Sequence, residues 1–290
     1  MIEYIEGNIF NSPAQVIVNT VNTIGVMGKG IALSFKKRYP GMFEVYKKAC
    51  DKHQLTIGKL MLYYAPDHWI LLFPTKENWR NPSKIEYLEA GLSKFVATYT
   101  EKRITSIAFP KLGCGNGELP WTEVKPVMER YLKSLPIPVY IYIGINHIET
   151  PEHRAQEETA NWLRKNARDM SFTGLCDDLR HTTALFPYEF SGPDGKYYAT
   201  WENGLKITAE GQSILIPESD LSDLWDHIRV QGIVETGEDN TPKAVFYRML
   251  NQMGYLSPVR ILSQDGIHAK DGYQSNEGYG RAFELRGEMA

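Results

Sequence analysis

Within the first 145 residues, short apolar runs alternate with stretches of helical period, and that alternation admits few folds. The segments IEYIEG (2–7), QVIVNT (15–20), KLMLYY (59–64), HWILLFPT (68–75), ITSIAFP (104–110) and IPVYIYIG (137–144) are rich in β-branched or aromatic residues and predict strands. Between them, residues 31–39 and 42–52 have helical composition, and Trp121 to Leu135 predicts a further helix. Ile85, Leu88, Leu92, Phe95, Val96 and Tyr99 recur at i, i+3, i+4 spacing, with Ser83 placed to cap that helix. Strands that are apolar throughout belong in a mostly parallel sheet covered on both faces. Ligands of such sheets bind beyond the carboxyl ends of the strands, where the loops after Val18 and after Phe109 fall.

At 290 residues the chain has room for two domains, since ordinary domains run roughly 100 to 200 residues. Its 42% hydrophobic and 23% charged residues exclude the disordered class. The net charge of −3 hides an asymmetry: residues 1–150 carry +5 and residues 151–290 carry −8. The two halves therefore suit different partners, a polyanion for the first and a basic surface for the second. We expect domains at 1–148 and 149–290. No apolar run approaches the roughly 20 residues that span a bilayer, and the first ten residues are amphipathic strand and not a leader. A cytoplasmic protein without membrane attachment is the expectation. Cys50, Cys114 and Cys176 lie far apart without ligand spacing, and the seven histidines show no paired spacing, so neither a disulfide framework, a metal nor a cofactor is expected.

The chemistry concentrates in glycine-rich loops. In VNTVNTIGVMGKGIA, residues 18–32, Gly25, Gly28 and Gly30 bare the backbone just where a helix begins, which suits a pyrophosphate held by main-chain N–H groups. Asn19 and Asn22 add amides that suit sugar hydroxyls. The loop fits neither the Walker spacing nor GxGxxG, and a glycine-rich strand-to-helix loop alone is also an ordinary tight connection. PKLGCGNGELPW, residues 110–121, supplies a second such loop, and two loops can close over one diphosphate. Cys114 within it reads as a small filler more readily than as a nucleophile, because no histidine is near it in the motif.

These residues resemble a known family. GNIF (7–10), VNTVNTIGVMGKGIALSFKKRYP (18–40), FPTKENWRNPS (73–83) and FPKLGCGNGELPW (109–121) are similar to the macrodomain, the ADP-ribose-binding fold. The subgroup is that of the bacterial DNA ADP-ribosyl glycohydrolase antitoxins, DarG, and the human terminal ADP-ribose protein glycohydrolase. The resemblance covers residues 1 to about 146. It implies a three-layer α/β/α sandwich around a mixed, mostly parallel sheet. It further implies adenine near Asn8 and Ile9, the distal ribose at Asn22, ADP-ribose contact at Thr20, and a diphosphate wrapped by Met27, Gly28, Lys29, Gly30 and Ile31 from one side. Leu112, Gly113, Cys114, Gly115, Asn116 and Gly117 close it from the other. Many macrodomains have Asp where this chain has Asn8, whose carbonyl can also accept from an adenine amino group.

Lys76 matches the lysine that these glycohydrolases direct at the anomeric carbon of the distal ribose, where a deprotonated amine can form a covalent or Schiff-base intermediate. Desolvation or a neighbouring cation such as Arg80 or Lys29 would have to lower its pKa. The human enzyme pairs its lysine with an aspartate in the second glycine loop, whereas this chain has Gly117 there and Glu118 next. That departure favours release from DNA bases, thymidine by expectation, over cleavage of acidic-residue esters. Trp79 and Arg80 are candidate DNA contacts, a stacking ring beside a phosphate-binding guanidinium, although Trp79 equally suits packing of its own loop. Lys36, Lys37 and Arg38 read as a backbone contact or as a solvated face.

Residues 149–290 lie outside that resemblance. Glu152 to Arg168 predicts a charged helix, Tyr197 to Ile216 a hairpin turning at Glu210-Gly211, and Leu221, Leu224, Trp225 and Ile228 a helix face. Thr241-Pro242 opens a helix that ends at Gly254. The glycine-rich, aliphatic-poor stretch from Ser263 predicts a flexible tail near 263–290. A smaller α+β domain results, with a winged-helix-like arrangement as one reading and an ordinary accessory domain as the other. Asp177, Asp178, Asp220, Asp223, Asp226, Glu235, Glu238 and Asp239 would repel phosphates and instead suit the basic cleft of a toxin that ADP-ribosylates DNA. The expected function is removal of ADP-ribose from single-stranded DNA as an antitoxin activity. The competing readings are a non-catalytic ADP-ribose-binding module and a hydrolase of protein-linked ADP-ribose.

Overall fold

A computed structural model describes residues 2–144, 150–209, 211–237, 240–262 and 269–278. The chain divides into two compact units, Met1–Thr159 and Ala160–Ala290. The first unit runs β1 (Ile2–Ile5), β2 (Val16–Val21), α1 (Gly30–Arg38), α2 (Pro40–Asp51), β3 (Met61–Tyr64), β4 (Trp69–Pro74), α3 (Ile85–Thr98), β5 (Ile107–Pro110), α4 (Trp121–Leu132) and β6 (Val139–Tyr142). Its six strands lie in the order β1-β6-β5-β2-β4-β3, parallel except for β3 against β4.

The apolar runs of β4 and β5, and of Val16 to Val18 in β2, are explained by two separate cores. Ile17, Ile70, Leu72 and Ala108 pack with Phe35, Met42, Phe43 and Tyr46 of α1 and α2. Val16, Val18, Leu71, Phe73, Ile107 and Phe109 pack with Leu88, Leu92, Phe95, Val124, Met128 and Leu132 of α3 and α4 on the other side. Alternate residues of each strand thus serve opposite faces, and neither face can be polar. The unit is the expected α/β/α sandwich with a mixed, mostly parallel sheet. Gly91 lets α3 approach that sheet, because a Cβ there would lie 2.2 Å from Cζ of Phe73.

Two local expectations change. Ser83 does not cap α3: Lys84 occupies the cap position without a side-chain bond. Ser83 is buried, and its N–H donates to Gly117 O at 3.0 Å. Residues 152–168 do not form one helix. Glu152–Arg154 is a single 3-10 turn, the helix α5 spans Gln156–Lys165, and Ala167–Asp169 is a second short turn.

The second unit continues with α6 (Phe172–Thr182), β7 (Tyr188–Gly192), β8 (Gly195–Trp201), β9 (Gly204–Ala209), β10 (Gln212–Pro217), α7 (Glu218–Gln231), β11 (Ile233–Glu235), α8 (Pro242–Met253), β12 (Leu256–Leu262) and β13 (Ala269–Ser275). The expected hairpin is part of a four-stranded antiparallel meander in the order β10-β9-β8-β7, with two more turns than the sequence suggested. Glu210 itself lies outside the described residues. Helix α8 starts and stops where Thr241-Pro242 and Gly254 place its ends: Thr241 accepts from Ala244 N, and Gly254 has φ of 93°.

A three-stranded sheet, β11-β13-β12, completes the unit. The order resembles a winged helix, but among the described residues only α8 stands between β11 and β12, so the helix-turn-helix pair is not formed. Residues 269–275, expected in the flexible tail, are the central strand of this sheet. Gly272 explains the missing aliphatic signal: a Cβ there would meet Ile261 Cδ1 at 2.6 Å and Val234 O at 2.7 Å, so its neighbours fill the space. Residues 263–268 and 279–290 lie outside the described residues. Leu221, Trp225 and Ile228 of α7 are fully buried as the periodicity required. No helix among the described residues is long and apolar enough to cross a membrane.

Candidate active site

The parallel sheet sends β2, β4 and β5 to one end, and the three loops that leave them meet there. The first loop is shaped by Asn22, whose Oδ1 accepts from Ile24 N at 3.1 Å and Val26 N at 3.2 Å while Nδ2 donates to Val26 O at 2.7 Å. Tyr46 of α2 braces it from below, donating to Asn22 O at 2.9 Å. Gly25 and Gly30 have φ of 81° and 57°, the left-handed region that glycine enters without strain. Helix α1 begins at Gly30, so its unpaired N–H groups open toward the cradle.

The loop after β4 is tied to this one: Thr23 donates twice to Glu77 O, from N at 3.2 Å and from Oγ1 at 2.8 Å. The second glycine loop folds on itself through Leu119 N to Gly113 O at 2.9 Å and Glu118 N to Gly115 O at 3.0 Å. A Cβ at Gly30 would lie 2.7 Å from Nδ2 of Asn116, so the two glycine loops touch. At Gly117 a Cβ would meet Ser83 Oγ at 2.3 Å and Gly113 O at 2.4 Å, and no carboxylate can stand there. Glu118 takes a left-handed φ of 61°, unusual for a residue with a side chain and often found where a site over-determines the backbone.

Lys76, two residues past the end of β4, lies between these loops and is only 6% exposed. Its Nζ donates to Asn116 O at 2.7 Å. Burial lowers its pKa below the ordinary 10.5, although Glu152 and Glu118 pull the other way. The lowering therefore comes from desolvation, and neither Arg80 nor Lys29 supplies it. Lys29 Nζ instead donates to Thr150 O. Burial pushes the Cys114 thiol up to about 11, which leaves it a poor nucleophile near neutrality.

The remaining sequence-derived candidates divide into backbone and side-chain roles. Ile9, Met27 and Leu112 have their side chains in the core, at 5%, 2% and 0% exposure, and can offer a ligand only main chain. Gly28, Gly113 and Gly117 are buried, Gly115 is exposed, and Thr20 and Ile31 are half-buried at the rim. Asn8 is exposed and caps the turn Ile9–Asn11, accepting from Phe10 N at 3.0 Å. Asn22 braces the loop with the very amide atoms expected to reach a sugar. Trp79 is 1% exposed and carries the Arg80 guanidinium 4.2 Å from its ring, so it packs its own loop and offers no stacking face. Asn19 is fully buried with Oδ1 unpartnered beside the loop.

Sequence reasoning missed the segment after the last strand. His153 places Nδ1 3.5 Å from Lys76 Nζ and Nε2 2.6 Å from Glu118 Oε2. Arg154 Nε lies 2.7 Å from the other oxygen, Oε1, of Glu118. Gln156 Nε2 donates to His153 O at 3.2 Å. The sole signal was Pro151, which caps the EHR turn with its fixed φ.

A DNA ADP-ribosyl glycohydrolase of Thermus aquaticus is 45% identical over 147 residues, 49% of this chain and 41% of that relative. The chain thus spans about two fifths of the length of such relatives. The human ADP-ribose glycohydrolase OARD1 is 24% identical over 142 residues, covering 49% of this chain and 90% of that protein. The solved macrodomain of Thermus aquaticus DarG, 45% identical, aligns with a TM-score of 0.47 over 49% of this chain and 97% of that one. Residues 18–128 match the Macro domain family, and the N-terminal region of this chain belongs to it.

Proposed function

We propose that the N-terminal unit is a glycohydrolase that removes ADP-ribose from a base in single-stranded DNA, with Lys76 as the attacking amine. One observation carries the reading: a lysine amine, buried and so drawn toward its neutral form, stands between two backbone cradles at the strand ends. Main chain of residues 27–31 and 112–117 takes the diphosphate, Asn8 and the main chain of Ile9 border the adenine, and Thr20 lies toward the ribose. The 45% identity to a DNA-directed relative, against 24% to OARD1, supports DNA as substrate. So does Gly117, whose surroundings leave no room for the acid that the human enzyme carries there.

Incubating the full chain with ADP-ribosylated single-stranded DNA and with ADP-ribosylated protein side by side separates the readings. The expected result is loss of the modification from DNA alone. Loss from protein alone would move the substrate class, and binding of ADP-ribose without release from either would leave a recognition module.

The antitoxin role extends to a cognate DNA ADP-ribosyltransferase as partner, with residues 149–290 as its contact. Asp220, Asp223, Asp226 and Glu235 are exposed and suit a basic nucleic-acid cleft. Asp178 drops out of that set because it is 3% exposed and paired with Arg164, and Glu238 and Asp239 lie outside the described residues. Reversing the charge of the four exposed acids should abolish capture of the transferase in a pull-down; undiminished capture would refute this contact.

A further inference from the structure

Cleaving a bond between a ribose carbon and a base nitrogen requires two proton movements. The attacking ammonium must lose one proton, and the departing nitrogen must gain one. In the second glycine loop the Glu118 carboxylate has both oxygens engaged, one by His153 and one by Arg154. Gly117 admits no side chain, and the Cys114 thiol keeps its proton. A group does stand in place, contributed from outside every motif. The 3-10 turn Glu152–Arg154 brings His153 to Lys76, 77 residues away in sequence, with the imidazole side chain 10% exposed.

The contacts form a directed chain. Arg154 occupies Oε1 of Glu118, and Oε2 of the same carboxylate is left to His153 Nε2. A carboxylate at Nε2 fixes that nitrogen as the donor and turns Nδ1, as acceptor, toward Lys76 Nζ. On its other side the ammonium is held by Asn116 O. The 3.5 Å between Nδ1 and Nζ is at the outer limit of a hydrogen bond, as catalytic contacts often are before substrate draws them in. The left-handed backbone of Glu118 is accounted for as well, since it aims the carboxylate at the turn.

We infer that His153, oriented by Glu118, is the proton acceptor and donor for Lys76 in glycosidic cleavage; the inference rests on the proposed function of Lys76. The Lys76 ammonium passes a proton to Nδ1, giving a neutral amine and an imidazolium paired with Glu118. The amine's lone pair bonds to the anomeric carbon as the carbon–nitrogen bond to the base breaks, its electron pair leaving on the base nitrogen. That nitrogen takes the proton from Nδ1. Water then displaces the amine at the same carbon, one water proton remaining on Lys76 as ammonium and the hydroxyl on the ribose. The sum is base, ADP-ribose and an unchanged enzyme. The charged groups facing His153 are Lys76 from the loop after β4, Glu118 from the second glycine loop, and Glu152 and Arg154 from its own turn.

The test uses the full chain and ADP-ribosylated single-stranded DNA. His153→Ala should lower turnover on the order of a hundredfold, leave ADP-ribose affinity unchanged and regain activity when imidazole is added. Its residual rate should climb steadily into the alkaline range, since the ammonium then loses its proton only to solvent. Glu118→Gln, which keeps the side-chain volume, should lower turnover by roughly tenfold through a less well-held imidazole. Wild-type turnover and pH profile in His153→Ala, beside an inactive Lys76→Ala, would overturn the relay and leave the Lys76 reading standing. An inactive His153→Ala that imidazole does not restore, with a pH profile of unchanged shape, would also overturn it, because a merely structural turn behaves so. Retained turnover in Lys76→Ala would instead remove the reading beneath it.

Discussion

Lys76→Ala should lower release of ADP-ribose from DNA on the order of a thousandfold or more, as loss of a nucleophile or its base does elsewhere, while ADP-ribose still binds. Lys76→Arg should be as inactive, because a guanidinium keeps its charge and cannot attack. The buried position also sets a pH dependence whose sign follows from the lowered pKa. Desolvation favours the neutral amine, so activity controlled by deprotonation of Lys76 should rise with a midpoint below 10.5. A midpoint at or above that value would mean the amine is not desolvated in the working enzyme. Stability runs in the same direction. Burial of the ammonium penalises the folded state below the lowered pKa, and the penalty fades as pH rises from there to 10.5. Lys76→Met therefore should not unfold the protein at neutral pH, and lost turnover in it reports chemistry. Release kinetics on ADP-ribosylated oligonucleotide, with calorimetric titration of ADP-ribose, measure both halves of the expectation.

Asp178→Ala should destabilise the second unit by about 3–5 kcal/mol, the range seen when one partner of a buried ion pair is removed. The carboxylate is 3% exposed, and one oxygen, Oδ2, accepts both Arg164 Nε at 2.8 Å and the Tyr255 hydroxyl at 2.7 Å. Removing it strands a guanidinium, still held by Thr182 Oγ1 at 3.0 Å, and a fully buried phenol. Tyr255 in turn packs edge-to-face against Trp225 at 5.7 Å, so the loss reaches the centre of the unit. Against a typical total of about 5–15 kcal/mol, such a change leaves little margin. Thermal unfolding should fall by roughly 10 °C or more, and amide exchange in α6 and α8 should accelerate. Replacing both partners, Arg164→Met with Asp178→Leu, should recover most of the loss, because no uncompensated charge then remains. A single variant as stable as the wild type would show that water reaches the pair.

The N-terminal unit was legible because its strands and loops announce themselves locally. β4 is buried on both faces, so WILLFP is apolar without interruption, and β2 is apolar until Asn19. The glycine loops carry their own spacing, and Thr241-Pro242 with Gly254 marks α8 in the same local way. What escaped was set by partners distant in sequence. Ser83 looks like a helix cap, but Gly117 O claims its N–H. Asp178 reads as one more surface acid until Arg164 is brought against it. The β13 strand hides because its buried Gly272 has no side chain to betray a face. His153 is the extreme case: in EHRAQEE it is one polar residue among many, and only the closing of the sheet brings it to Lys76.

If the relay holds, the turn at 152–154 lies just beyond the part of the domain that its motifs make recognisable. Borrowed for a sensor or fusion and cut after β6, the fold would retain its cradles and its lysine, and should bind ADP-ribose while releasing it from DNA only slowly. On the proposed relay, the same fold carried through Gln156 should release it about a hundredfold faster.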